Sequence, residues 1–103
     1  MTYNPIDADT ERRLAVAWQT TGNKKALGRL IQAHLGLVIH IAAGFRRSGL
    51  ETGELIQEGN LGLTIAARRF DPDQARLSAY AAYWIRACML EHVVRSHGPV
   101  RIG

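Results

Sequence analysis

Apolar residues along this chain recur at three- and four-residue steps. No stretch alternates polar with apolar for long enough to make a half-buried strand, so the pattern predicts an all-α domain. A first helix is expected from Asp9 or Thr10, either able to cap it, to about Thr20, with Leu14 and Trp18 on one face and Gly22-Asn23 as the break. A second is expected from Lys24 to Arg47, where Leu27, Leu30, Ile31, Leu35, Val38, Ala42 and Phe45 form a wide apolar stripe. Gly28, Gly36 and Gly44 recur on nearly one side of it and suggest close approach of a neighbouring helix. Ser48-Gly49 ends it. A third is expected from Gly53 to Arg69, capped by Thr52, with Leu55, Ile56, Leu63, Ala66 and Phe70 as its apolar residues and Gly59 and Gly62 allowing tight packing. After the Asp71-Pro72-Asp73 turn, a fourth runs from Ser78 to Ser96, and Gly98-Pro99 ends it. The architecture expected is a compact bundle of about four helices, one domain over residues 1–103 with residues 1–9 a flexible lead-in. The ending Val100-Arg101-Ile102-Gly103 breaks off abruptly, which points to a piece cut from a longer protein.

The fourth helix has too many apolar sides. At about 100° per residue, Ala81, Ile85, Cys88, Met89 and His92 fall on one side and suit a core. Tyr80, Tyr83, Ala87, Leu90 and Val94 fall on the other, with Trp84 at the border. A surface helix needs one apolar stripe, so the second face is covered by something else or left exposed for use. A helix buried on both sides or a dimer contact is one account. A platform on which bases stack is the other.

Charge favours the second account. Thirteen basic residues, eleven of them Arg, oppose nine acidic ones, a net charge of +4. Residues 61–103 hold six basic and three acidic groups, whereas residues 1–60 hold seven and six, so the excess lies with the aromatics. Phe70, Tyr80, Tyr83 and Trp84 are interleaved with Arg68, Arg69, Arg76, Arg86 and Arg95, the combination that single-stranded nucleic acid needs.

Other chemistry is poorly supplied. The lone Cys88 excludes an internal disulfide and fits a reducing, cytoplasmic compartment. No apolar run reaches the roughly 20 residues of a membrane span. Cys88 and His92 are four apart and His97 follows, but no fourth ligand is evident and no metal or other cofactor is expected. No nucleophile–base constellation is legible, so the chain is read as not an enzyme. Glu54, Gln57, Glu58 and Asn60 crowd the first turns of the third helix; they form either an ordinary solvated face or a docking edge for a protein.

The string Glu54-Leu55-Ile56-Gln57-Glu58-Gly59-Asn60-Leu61-Gly62-Leu63, then Arg69-Phe70-Asp71-Pro72 and Ser78-Ala79-Tyr80-Ala81-Ala82-Tyr83-Trp84-Ile85-Arg86, resembles region 2 of the sigma-70 family of bacterial sigma factors over about residues 10–103. Residues 83–87 and the ending from Leu90 lean towards the heat-shock or alternative branch. The resemblance implies a transcription initiation domain, with RNA polymerase core and promoter DNA as partners. The third helix would dock on the coiled coil of the β′ clamp through Glu54, Leu55, Gln57, Glu58 and Asn60. The fourth helix and the loop before it would melt the −10 element and hold its non-template strand. Phe70, Tyr80, Tyr83 and Trp84 match the aromatic melting positions. Arg69, Arg76, Ser78, Arg86, Ala87, Leu90, Arg95 and Arg101 complete the DNA-facing set. The domain is expected to be monomeric.

The chain departs from that pattern in informative ways. The loop after Phe70 is one residue short and Ala75 replaces a usual Gly. Leu77 stands where an aromatic is frequent, and Tyr83 replaces the first Trp of a pair. Ala87 and Leu90 replace the Gln and Thr that read the upstream edge of the element in housekeeping factors, and they cannot make bidentate contacts to bases. Two competing readings remain at this level. One is a helical protein-interaction module sequestered by an anti-sigma factor, without DNA binding of its own. The other is a helix-turn-helix regulator, which an aromatic-rich fourth helix disfavours.

Overall fold

The structure is a computed structural model, and it describes residues 6–97. Among these residues there are five α-helices and no strand: α1 (Ala8–Thr21), α2 (Lys24–Ala33), α3 (Leu35–Ala43), α4 (Thr52–Arg69) and α5 (Leu77–Ser96), with a 3₁₀ turn at Arg46–Ser48 between α3 and α4. No single helix among them is long and apolar enough to cross a membrane. Gly98-Pro99, expected to end α5, lies outside the described residues, as does Arg101.

The caps differ from the expectation by a residue or two. The Asp7 side chain, not Asp9 or Thr10, caps α1 by accepting the Thr10 amide at 2.8 Å. Gly22 ends the helix at φ +68°, a left-handed conformation that costs a glycine little, and its amide bonds the Trp18 carbonyl at 3.0 Å. Asn23 then caps α2 through the Ala26 amide at 3.0 Å. At α4 the cap position is Glu51, without a side-chain bond, and Thr52 is already helical.

The one long second helix is two. The chain breaks at His34 (φ −113°, ψ 11°), and α2 and α3 meet at a 50° bend. No proline lies between Lys24 and Ala43. The last turn of α2 tightens, the His34 amide bonding Ile31 instead of Leu30 at 3.1 Å, and the His34 ring takes the Leu30 carbonyl through Nδ1 at 2.7 Å. The ring itself is buried, at 7% exposure. The bend lets α2 pack on α1 while α3 lies against α4 and α5.

The main contact in the molecule is α4 against α5. It depends on two glycines. A Cβ on Gly62 would fall on the Trp84 carbonyl, and one on Gly59 would come within 2.6 Å of Met89 Cε and 2.7 Å of Val38 Cγ1. The α4 and α5 backbones therefore meet closely, and Leu55, Leu63, Leu77, Ile85, Met89, Leu30 and Val38 close the core around them. Gly28 of α2 behaves otherwise: nothing lies within 4 Å of a Cβ placed there.

The first helix braces the loop between α4 and α5. Gln19 Nε2 donates to the Ala67 and Phe70 carbonyls at 2.9 Å each, closing the end of α4. Arg12 pairs with Asp73 at 2.7 Å. The Glu11 carboxylate, 2% exposed, accepts the Leu77 amide at 2.9 Å and so caps α5 from another helix. It also receives Arg76 Nε at 3.1 Å and Nη2 at 3.4 Å, while His34 Nε2 stands 3.7 Å away. These bonds fix where α5 starts, and with it the direction of every side chain described next.

Candidate nucleic-acid interface

The inner side of α5 is filled. Ala81, Ile85 and Met89 are fully buried against α4. Cys88 and His92, expected beside them, lie at the edge and are only half-buried. The outer side carries Tyr80 (37% exposed), Tyr83 (67%), Leu90 (52%) and Val94 (62%), with Ala87 half-buried among them. No described residue covers this apolar outer face.

Trp84 sits at the hinge between the two sides and is half-buried. Tyr83 meets it edge-on with centroids 5.5 Å apart, and the Tyr80 ring lies tilted to it at 6.4 Å. The Arg69 guanidinium, from the end of α4, covers the Trp84 ring at 5.1 Å. Three aromatics and one cation thus form a fixed cluster, held from beneath by the α4–α5 contact. Ser78 is exposed one turn before it.

The remaining expected residues separate into distinct environments. Phe70 is not an exposed stacking face: it is 4% exposed and part of the core, where the backbone turns extended at the end of α4. Arg76 is exposed along half its side chain, but its guanidinium is committed to Glu11 and the Ile6 carbonyl at 2.7 Å. Arg95 pairs with Glu91 at 3.4 Å. Arg86 makes no ion pair among the described residues and lines an open cleft of about 440 Å³ with His40, Phe45 and Arg46. Leu77, where an aromatic is frequent in the resembled pattern, is fully buried, so its shape serves packing.

The edge of α4 faces elsewhere. Glu54 and Gln57 are exposed, and Glu58 and Asn60 half-buried. Leu55 is 1% exposed and supports the edge from within, so it offers no surface to a partner. Leu61, not anticipated, is 52% exposed at the next turn. His92 reaches over from α5, its Nε2 3.4 Å from Glu54 and its Nδ1 3.7 Å from Glu58. The Asn60 Oδ1 is buried without a hydrogen-bond partner among the described residues. Burial, and then the carboxylates of Glu58 and Glu91, push the Cys88 thiol above its ordinary pKa, so it is a poor nucleophile at neutral pH. No group of three or more His, Cys, Asp or Glu among the described residues could hold a metal ion.

Glu11, Gln19 and His34 escaped the sequence reading. A signal for Glu11 existed: it shares the inward face of α1 with Ala15 and Trp18, four and seven residues on, and an acid there requires a partner.

The structure combines an all-helical fold with an aromatic and cationic face on α5 and an acidic edge on α4. Residues 30–98 match the family described as sigma-70 region 2, and the chain belongs to that family. It is 40% identical over 99 residues to the RNA polymerase sigma factor RpoH of Caulobacter vibrioides (strain NA1000 / CB15N), covering 95% of this chain and 34% of that one. It is 43% identical over 99 residues to RpoH of Zymomonas mobilis, covering 95% and 33%, and 38% identical over 99 residues to RpoH of Rhizobium radiobacter, with the same shares. These relatives agree with the heat-shock-like branch expected from the sequence. The chain spans about a third of the length of the curated relatives it matches.

Proposed function

We propose that this chain is the part of a sigma factor that binds RNA polymerase core and opens promoter DNA, without catalysing a reaction itself. The α4 edge of Glu54, Gln57 and Glu58, continued by Leu61 and half-buried Asn60, docks on the β′ clamp coiled coil. The cluster of Tyr80, Tyr83 and Trp84 under Arg69 receives bases of the −10 non-template strand. The exposed aromatic cluster on a rigidly braced α5 is the observation that carries this reading.

The energetics suit the role. Separating duplex DNA costs about 1.4 kcal/mol of stacking per step, and each base stacked on an aromatic side chain returns about 1–3 kcal/mol. Two exposed tyrosines therefore offset the first openings and no more. Arg69 and Arg86 are the described cations of this face without an acidic partner, so the phosphate contribution is limited to a few contacts. Such a domain binds DNA weakly alone and works as a cytoplasmic monomer once polymerase holds it on the promoter.

Titration of the chain's tryptophan fluorescence with single-stranded and duplex oligonucleotides of −10 sequences, at moderate salt, tests the DNA part. Trp18 is buried and Trp84 half-buried, so quenching reports mainly on Trp84. Tighter binding of single strands, weakened by Tyr83→Ala, is the expected result. No quenching, with capture of the clamp coiled coil intact, leaves a protein-docking module of the kind an anti-sigma factor sequesters. Loss of that capture in Gln57→Ala and Glu58→Arg variants that remain folded is expected from the docking part.

A further inference from the structure

We propose that His92 of α5 is an internal counter-cation of the α4 docking edge. As an imidazolium it occupies Glu54 and Glu58 and weakens the grip of that edge on a basic partner surface; as a neutral ring it leaves both carboxylates to the partner. The inference rests on the reading of the α4 edge as the site that docks on RNA polymerase and specifies how that docking is regulated.

Glu54 and Glu58 stand one turn apart on α4, so their carboxylates share one side of that helix. His92 meets both from the neighbouring helix, its Nε2 3.4 Å from Glu54 Oε1 and its Nδ1 3.7 Å from Glu58 Oε2. A neutral imidazole donates from one nitrogen and turns a lone pair outward at the other, whereas the imidazolium donates from both. A ring with a carboxylate at each nitrogen is therefore matched to its charged form. Histidine is also the residue type that changes charge near neutral pH. The other charged groups nearby do not take over this part. On α5, Arg95 is held by Glu91 at 3.4 Å, and Cys88 stays a neutral thiol because burial, Glu58 and Glu91 raise its pKa. On α3, His40 lines the cleft with Arg86. The His92 side chain is 21% exposed and that of Glu54 52%, so a partner approaching from solvent meets the Glu54 carboxylate before the ring. Two carboxylates beside the exposed Gln57 suit a surface that presents guanidinium or ammonium groups. Such groups and the imidazolium compete for the same oxygens.

The test measures binding of this chain, labelled with a fluorophore at its N-terminus, to core RNA polymerase by anisotropy at about pH 8 and about pH 6, on either side of the ordinary histidine range. Wild type, His92→Gln and His92→Lys are compared. Glutamine keeps a donor without the charge, and lysine keeps the charge under both conditions. His92→Gln is expected to bind as the wild type does at the higher pH and about threefold more tightly at the lower, the scale of one surface ion pair. His92→Lys is expected to bind about threefold more weakly than the wild type at the higher pH and about equally at the lower. Titration of the polymerase and of the chain's other histidines affects all three proteins alike, and circular dichroism checks that they are equally helical. Where His92→Lys does not fold, wild type and His92→Gln decide the question by themselves. The same pH dependence in wild type and His92→Gln overturns the inference and leaves the docking reading standing. So does weaker binding of both variants under both conditions, which would assign His92 to holding α5 on α4. A wild type that binds core polymerase under neither condition overturns the docking reading itself, and this inference with it.

Discussion

The Glu11 carboxylate accepts the Leu77 amide at 2.9 Å, joining two residues 66 positions apart. Through this bond the first helix sets the starting point of the last. The same carboxylate holds Arg76, whose half-exposed side chain closes the site towards solvent.

Removal of Glu11 therefore does more than delete one ion pair. Glu11→Ala leaves the buried Leu77 amide unpaired and releases Arg76, with an expected loss of about 2–3 kcal/mol. Glu11→Gln keeps an acceptor for the amide and is expected to cost about 1 kcal/mol. Urea unfolding midpoints of the two variants check the order. Because α5 loses its anchored start, Glu11→Ala is also expected to weaken single-strand binding although it lies on another helix.

Two glycine substitutions are expected to act in opposite directions. Gly62→Ala places a methyl on the backbone carbonyl of Trp84, which cannot rotate away, so α4 and α5 separate at a cost of about 2–3 kcal/mol. Gly28→Ala meets open space in a helix and gains about 0.5–1 kcal/mol. Thermal unfolding of both variants beside the wild type reads the two signs directly.

Phe70 and Tyr83 are both aromatic, and the structure assigns them opposite places. Phe70→Ala removes a buried ring and is expected to cost about 3 kcal/mol of stability. Tyr83→Ala removes a largely exposed ring and is expected to change stability by about 0.5 kcal/mol, while weakening single-strand affinity about tenfold. Denaturation and oligonucleotide titration of the same two variants separate packing from binding.

The cap of α1 supplies an acid-side dependence. The bond from the Thr10 amide holds the Asp7 carboxyl below its ordinary pKa. A carboxyl depressed in the folded state stabilises fully above its unfolded pKa, near 4, and loses that contribution as pH falls through the lower folded value. Asp7→Asn still caps the helix but does not titrate. Stability profiles of wild type and variant are expected to run parallel from pH 7 to about pH 4.5 and to converge below that; a constant offset down to pH 2 would refute the assignment.

Much of the candidate site was legible because it lies within single helices. The opposite sides of α5 follow from residue spacing alone, and the structure fills one side with Ala81, Ile85 and Met89 and exposes Tyr83, Leu90 and Val94 on the other. Phe70 counts both among the apolar residues of its helix and among the stacking aromatics, and at a helix end periodicity does not decide between them; its 4% exposure places it in the core. Leu55 illustrates a different limit. A motif names a stretch, but burial decides which of its members can touch a partner.

The sequence by itself determined that the chain is helical, which residues share a face, and where the basic and aromatic groups concentrate. Those are local properties, fixed by spacing of about 3.6 residues per turn and by side-chain chemistry. The tertiary structure decided the 50° break at His34, the tethering of the α4–α5 loop by Glu11, Arg12 and Gln19, and the pairing of His92 with the acidic edge. Each depends on partners far apart in the chain. A buried carboxylate or a helix end is stable only with a partner for its charge or its unpaired amides, and which residue supplies it is settled when the helices pack.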